Sequence, residues 1–305
     1  MTGRNAIEKY LAIDVGGTNI KYGLVTEEAV ILEQGSLPTP KNGANDFLKI
    51  IEHIFEKYKS ETHTIVMSAP GSYNAKEKTY FIGGSLRYMS DINITKLIKE
   101  RMDCNFSIEN DAKCAALAEL WKGSMKSVKN GLVITLGTGI GGSVIIDGKL
   151  YRGSSCYAGE LSGISTNWTE AYTTKTIWSK YQSTKILLQH YAQEKGCTDE
   201  PVTGQEFFEN VINGEPTACL VLDKFCTNLA TGLFSLQLIL DVQKISIGGG
   251  ISKQPILIEK INQKMQSIYE TYPYIHTTKP EICACTFGND ANLIGALYHY
   301  TYEVD

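Results

Sequence analysis

One local pattern is written twice in this chain, and it limits the folds available more than anything else. The apolar run Leu11 to Ile13 ends in Asp14-Val15-Gly16-Gly17-Thr18-Asn19-Ile20-Lys21, and the run Leu132 to Ile134 ends in Leu136-Gly137-Thr138-Gly139-Ile140-Gly141-Gly142. Each glycine loop is followed by a second strand-like run (Tyr22 to Val25, Ser143 to Ile146), a turn (Thr26-Glu27-Glu28, Asp147-Gly148) and a third run. Glycines let the backbone turn sharply and come close to an anion, and threonine hydroxyls add donors. Two such turns facing each other suit a polyphosphate held between two lobes. Neither loop continues into Gly-Lys-Ser/Thr, so a Walker-type phosphate loop is excluded.

The 305 residues exceed a typical single core, which agrees with two lobes. A net charge of -4 argues against a nucleic-acid surface, which needs a basic stripe. No apolar stretch is read as reaching the ~20 residues of a membrane span, and Met1 to Lys9 lacks a signal-peptide core. The eight cysteines are scattered, mostly inside apolar runs, as reduced cysteines of a cytoplasmic protein would be. Cys283-Ala-Cys285 has no second pair nearby and reads as packing rather than zinc binding.

Along the chain, residues 10–35 read as three strands, followed by a helix capped by Asp46 with Phe47, Ile50, Ile51, Ile54, Phe55 and Tyr58 at helical period. A buried strand at Thr64 to Met67, a polar stretch with Gly83-Gly84-Ser85, a helix around Ile94 to Met102, a strand at Cys104 to Ile108 and a helix at Asp111 to Leu120 complete the first half. In the second half, a helical stretch with Trp178, Tyr181, Thr184 and Leu187-Leu188 inward is expected. Leu222 to Leu240, apolar on nearly all sides, predicts a central buried helix. A strand at Lys244 to Ile247 then leads into Gly248-Gly249-Gly250, and a strand at Ile282 to Thr286 precedes a last helix from Ala291. Strands and helices in alternation imply an α/β fold with mixed sheets.

Asp14 closes a buried strand beside the Gly16-Gly17 turn. A carboxylate there suits Mg²⁺ held through water, with Thr18 and Lys21 toward phosphate oxygens, although an Asp steadying its own turn has the same local sequence. Glu109-Asn110-Asp111 falls at a strand end and helix start, where the helix dipole keeps a carboxylate ionised. Asp111 there can orient a hydroxyl and accept its proton during phosphoryl transfer, while Asn and Asp are equally favoured as plain helix caps. Glu160, after the turn-rich stretch Gly153 to Gly159, matters only if it joins the same pocket; on its own it is a solvated loop carboxylate. Gly248 to Gly250 permits close approach of a planar ligand such as adenine, or is an ordinary strand-to-helix turn.

The ordered set of these motifs resembles the ROK family of repressors and sugar kinases, in the sugar kinase/Hsp70/actin superfamily. Besides the two glycine loops, the matching stretches are Glu109-Asn110-Asp111-Ala112, Gly148-Lys149-Leu150-Tyr151-Arg152-Gly153, Ala158-Gly159-Glu160, Ile247-Gly248-Gly249-Gly250-Ile251-Ser252 and Gly288-Asn289-Asp290-Ala291. The resemblance implies a two-lobed actin-like ATPase (ribonuclease H-like) fold, with ATP and Mg²⁺ in a cleft between lobes and a sugar as acceptor. Residues 1–117 would form a small lobe completed by the C-terminal helix 291–305, and residues 118–290 a large one. It makes Asp111 the general base for transfer to a sugar hydroxyl, the 6-position by family habit. Asn110, Glu160, Gly84 and Ser85 become sugar ligands, Gly16, Gly17, Thr18, Lys21, Gly137, Thr138 and Gly139 phosphate grips, and Gly248, Gly249 and Gly250 the flank of the adenosine. A homodimer also fits the family.

Two departures shape the expected substrate. ROK sugar kinases usually follow the Glu with Gly-His and then a cysteine-rich zinc loop ending in a second Glu; here Ser162-Gly163 replaces the pair, Ser179 falls near the second Glu, and no cysteine lies between Cys156 and Cys197. A structural zinc is therefore not expected. The missing His and Glu hold the anomeric end of the sugar in the family. Their loss predicts room for a substituent and so a β-glucoside or similar disaccharide, resembling the zinc-free β-glucoside kinase branch; a plain hexose or N-acetylmannosamine is the alternative acceptor. A sugar-responsive transcription factor would need dozens of residues before the first glycine loop, where ten precede Leu11. A non-catalytic sugar-binding regulator is a further alternative, against which Asp14, Thr18, Asp111, Thr138 and Glu160 together speak; an ATPase of the same superfamily without sugar transfer is another, against which Asn110-Asp111 beside Glu160 speaks as hydroxyl recognition.

Overall fold

The computed structural model describes residues 7–74, 79–83, 86–90, 92–196, 201–272, 274 and 278–304. These fall into two compact units: residues 1–121, 152–157 and 290–305 in one, 122–151 and 158–289 in the other. Each is built on a five-stranded mixed sheet, and the two sheets share one topology.

In the first unit the strands are β1 (Lys9–Val15), β2 (Asn19–Thr26), β3 (Ile31–Pro38), β4 (Thr64–Ala69) and β7 (Asn105–Asn110), in spatial order β3-β2-β1-β4-β7. β1 to β3 form an antiparallel meander, while β4 and β7 add in parallel. The central strands alternate poorly and are buried on both faces; all six residues of β4 are buried. Parallel strands covered on both sides read as continuous apolar runs for this reason. Helices α1 (Ala44–Tyr58) and α2 (Ile94–Arg101) cover one face through Phe47, Leu48, Ile51, Ile54, Phe55 and Ile98. The other face carries α3 (Asp111–Lys122) and α8 (Ala291–Tyr302), where Tyr10, Ala12, Val25 and Val66 pack with Cys114, Leu293, Ala296 and Leu297. A short hairpin, β5 (Gly71–Asn74) with β6 (Thr79–Ile82), lies in the stretch read from sequence only as polar.

The second unit repeats the plan with β8 (Gly131–Leu136), β9 (Ile140–Ile146), β10 (Lys149–Tyr151), β11 (Lys244–Gly248) and β12 (Glu281–Ala284), ordered β10-β9-β8-β11-β12. Its helices are α4 (Thr184–Lys195), α5 (Gly204–Ile212), α6 (Pro216–Leu240) and α7 (Pro255–Thr271). They bury one continuous core that includes Trp178, Phe207, Phe208, Leu229 and Leu233.

Several expectations need correction. α1 starts earlier, with Gly43 at the N-cap; Asp46 makes no cap hydrogen bond and sits in the first turn, against the positive end of the helix dipole. α6 is not buried all round: Leu220, Leu238 and Ile239 are exposed on the side that α4, α5 and α7 leave uncovered. At 25 residues α6 has the length and composition of a membrane span, contrary to the expectation for the chain. Nine of its side chains nevertheless belong to the core, and its Asp223 pairs with Lys264 at 2.8 Å. Tyr181, expected inward, is exposed, while Trp178 of the short 3-10 helix Trp178–Lys180 takes the place in the core.

Candidate active site

The parallel register in the first unit sets the chemistry at one edge of its sheet. Asp14 lies opposite Ser68 of β4, and Ser68 and Ala69 lie opposite Glu109 and Asn110 of β7. Asp14 and Asn110 thus stand at the carboxyl-terminal ends of the two strands that flank β4, about 10 Å apart at the usual strand spacing. Such ends are where open α/β sheets bind ligands.

At β7 the two local roles separate. Asn110 is the cap: its Oδ1 accepts the Lys113 N–H at 3.1 Å, and its Nδ2 donates to the Gly71 carbonyl at 3.0 Å. Asp111 is the first helical residue, with Oδ1 accepting the Ala112 N–H at 2.8 Å. Burial pushes the Asp111 carboxyl above the ordinary carboxylate range, against the opposing pull of the Ala112 N–H. The Asp14 carboxyl is pushed up to about 6, mainly by burial; the Asn292 amide, donating at 2.9 Å, lowers it, and the charge of Asp111 raises it. The two carboxylates therefore feel each other. Lys21, directly across the β1–β2 ladder from Asp14, supplies an opposing positive charge.

Gly16, Gly17 and Thr18 form the turn joining β1 to β2. Gly16 N–H donates to the Asn19 carbonyl at 3.0 Å, and a Cβ on Gly16 would meet that oxygen at 2.9 Å. Thr39 secures the turn through its hydroxyl on the Gly16 carbonyl and its N–H on the Thr18 carbonyl. Gly17 and Thr18 are exposed at its tip.

In the second unit Gly137, Thr138 and Gly139 make the equivalent turn between β8 and β9, with the Gly137 N–H donating to the Gly139 carbonyl at 2.9 Å. Gly249, at φ 96, packs so closely that a Cβ would lie 2.1 Å from the Leu136 carbonyl oxygen. The Gly248–Gly250 turn is thereby stacked on the base of the Gly137 loop. A Cβ on Gly137 or Gly250 would meet nothing within 4 Å, so packing does not explain those glycines, whereas an approaching ligand would. Glu160 is partly buried at the start of the 3-10 helix Leu161–Gly163. Gly159 before it, at φ 85, lies against the Gly142 carbonyl, 2.7 Å from where its Cβ would be. The Ser179 Cβ lies 3.9 Å from the Cβ position of Gly139, which sets the second departure beside this loop. Gly84 and Ser85 lie outside the described residues.

An ionic cluster beside Asn110 had no sequence signal as a group. Arg152 Nη2 donates to Glu109 Oε2 at 2.7 Å and to Glu303 Oε2 at 2.5 Å, and His299 Nδ1 lies 3.2 Å from the same Glu303 oxygen. Burial alone would raise the Glu303 carboxyl; the His299 and Arg152 contacts hold it below the ordinary range.

Comparison with known proteins agrees with this geometry. The family model described as ROK family matches residues 10–301. A β-glucoside kinase of Listeria innocua is 31% identical over 296 residues, covering 97% of this chain and 98% of the relative. A ROK family protein of Streptococcus pneumoniae, solved in complex with sucrose, is 30% identical with a TM-score of 0.82, covering 97% of this chain and 98% of its own. A ROK family glucokinase of Streptomyces griseus, solved with glucose and AMPPNP, shares the fold at 23% identity and TM-score 0.80, covering 95% and 98%. With the match running from β1 into α8, the chain belongs to the ROK family.

Proposed function

We propose that this protein is an ATP-dependent sugar kinase, with Asp111 as the general base and a β-glucoside or related disaccharide as acceptor. The observation that carries the reading is the pair Asp14 and Asp111: two desolvated carboxylates at the ends of the strands on either side of β4, one beside a glycine turn, the other at a helix N-terminus. The residues fit the groups the reaction needs. Asp14, protonated up to about 6 for want of solvation, is a carboxylate that a divalent cation reached through water would stabilise in ionised form. The open Cβ positions at Gly137 and Gly250 leave room for a nucleotide against bare backbone.

Asn110 and Glu160, with Gly84 and Ser85, bind sugar hydroxyls; Gly16, Gly17, Thr18, Lys21, Gly137, Thr138 and Gly139 grip phosphates, and Gly248 to Gly250 flank the adenosine. Asp111 accepts the proton of the acceptor hydroxyl as its oxygen bonds to the γ-phosphorus and the bond to the ADP oxygen breaks. That transition state is loose, so holding the hydroxyl in line matters more than basicity. When bound, Mg²⁺ neutralises charge on the phosphates. Support for the acceptor comes from Gly163 and Ser179, which lack charged side chains, from the relative named a β-glucoside kinase, and from the sucrose-bound relative. The 6-hydroxyl is the proposed site of transfer.

The test is ADP release with ATP and Mg²⁺ on glucose, N-acetylmannosamine, cellobiose and an aryl β-glucoside. Turnover on the β-glucosides that drops about 10²–10⁴-fold in Asp111→Asn supports base and acceptor together. Turnover on free hexose alone removes the acceptor, and turnover untouched in Asp111→Asn removes the base.

A further inference from the structure

Residues 152–157 follow β10 in the chain yet pack with the first unit. Two cations hold this short strap. Arg152 anchors one end on Glu109 and Glu303, and Lys113 Nζ donates to the Cys156 carbonyl at 2.9 Å near the other. Cys156 has φ 59, left-handed backbone that a non-glycine residue keeps only when its surroundings over-determine it. Lys113 is 2% exposed. An amine that deep is costly unless its charge is answered; here it bonds the Cys156 carbonyl and lies within electrostatic reach of the Asp111 carboxylate.

Both anchors also grip the residues around Asp111. Glu109 takes Arg152 on Oε2 and accepts the Asn110 N–H on Oε1 at 2.7 Å. Lys113 reaches Cys156 with its side chain while its N–H donates to Asn110 Oδ1. Asp111 is thus bracketed between two residues bolted to one strap, and the strap runs in sequence straight into Ala158-Gly159-Glu160. Glu109, His299 and Glu303 have the make-up of a cation site, but Arg152 already supplies the positive charge to the carboxylate oxygens.

We propose that Arg152 and Lys113 are positioning residues for phosphoryl transfer, fixing the strap 152–157 and the turn 109–113 as one piece so that the Asp111 carboxylate keeps its aim at the acceptor hydroxyl. This rests on the reading of Asp111 as the base. Loss of either cation frees the strap: Arg152→Met leaves the Glu109 and Glu303 carboxylates without their guanidinium, and Lys113→Met releases the Cys156 carbonyl.

The experiment compares wild type, Arg152→Met, Arg152→Lys, Lys113→Met and Asp111→Asn for kcat, for KM of ATP and of the sugar the wild type turns over best, and for Tm. The expected result is a fall in kcat of roughly 10²-fold in Arg152→Met and Lys113→Met, the scale of a catalytic group misplaced by about 1 Å, with KM for ATP unchanged. Arg152→Lys regains part of the loss, since it restores charge without the forked geometry. Should Arg152→Met fail to fold, Lys113→Met and Arg152→Lys carry the test. A kcat within about threefold of wild type in the folded variants overturns the proposal, as does a loss that scales only with the fraction of protein folded. Wild-type kcat in Asp111→Asn defeats the base assignment itself, a failure separable from that of the strap.

Discussion

Asp111 carries the clearest pH signature. Its carboxyl is raised by burial, and only the ionised form accepts a proton. The sign follows directly: as pH falls, a raised carboxyl protonates earlier than an ordinary one, so activity is lost on the acid side sooner than for a solvent-exposed aspartate. We expect kcat/KM to rise with pH along a limb whose midpoint lies above the ordinary carboxylate range, and a midpoint within that range would contradict the burial. Asp14 adds a second expectation. With its carboxyl pushed up to about 6, the Mg²⁺ concentration needed for half-maximal rate increases as pH drops through that value, since the proton and the cation compete for one carboxylate. Titrating Mg²⁺ at several pH values reads this directly. Burial of a single carboxylate is invisible in sequence, which is why Asp111 read equally well as a cap. The structure assigns the capping bond to its neighbour Asn110.

At the level of elements, α8 and α3 touch backbone to backbone. A Cβ on Gly295 would lie 1.8 Å from the Cys114 carbonyl oxygen, closer than any side chain tolerates. Gly295→Val forces the helices apart and costs at least about 2 kcal/mol, measurable as a lowered midpoint in urea. Most elements were legible because their signal is local: apolar runs ending in glycine, as at Leu11 to Ile13 and Leu132 to Ile134, gave β1 and β8 and their turns. The β5–β6 hairpin was not, because its strands are only four residues each and β5, Gly-Ser-Tyr-Asn, carries no apolar run. α5 and α7 do carry periodic apolar positions (Phe207, Phe208 and Val211; Leu257, Ile261 and Met265) that were there to be read. The Arg152–Glu303 bond spans 151 residues, and no local pattern announces a pairing of that separation. The strap's place in the first unit was hidden for the same reason.

On the scale of the whole molecule, one unit is nearly continuous in sequence and the other is assembled from three pieces. Removing residues 291–304 strips the face of the first sheet formed by Tyr10, Ala12, Val25 and Val66 while leaving the second unit's core untouched. In the shortened chain, amide exchange should quicken in β1 and β4 but stay slow in β8 and β11. Equal loss of protection in both sheets would refute independent cores. The order of assembly has a consequence during synthesis. A ribosome releases the chain from its N-terminus, so the first sheet emerges early yet waits for the whole second unit to be made before α8 arrives to cover it. Throughout that interval its apolar face is open to whatever binds nascent chains, and a chain stopped before Ala291 would strand it there.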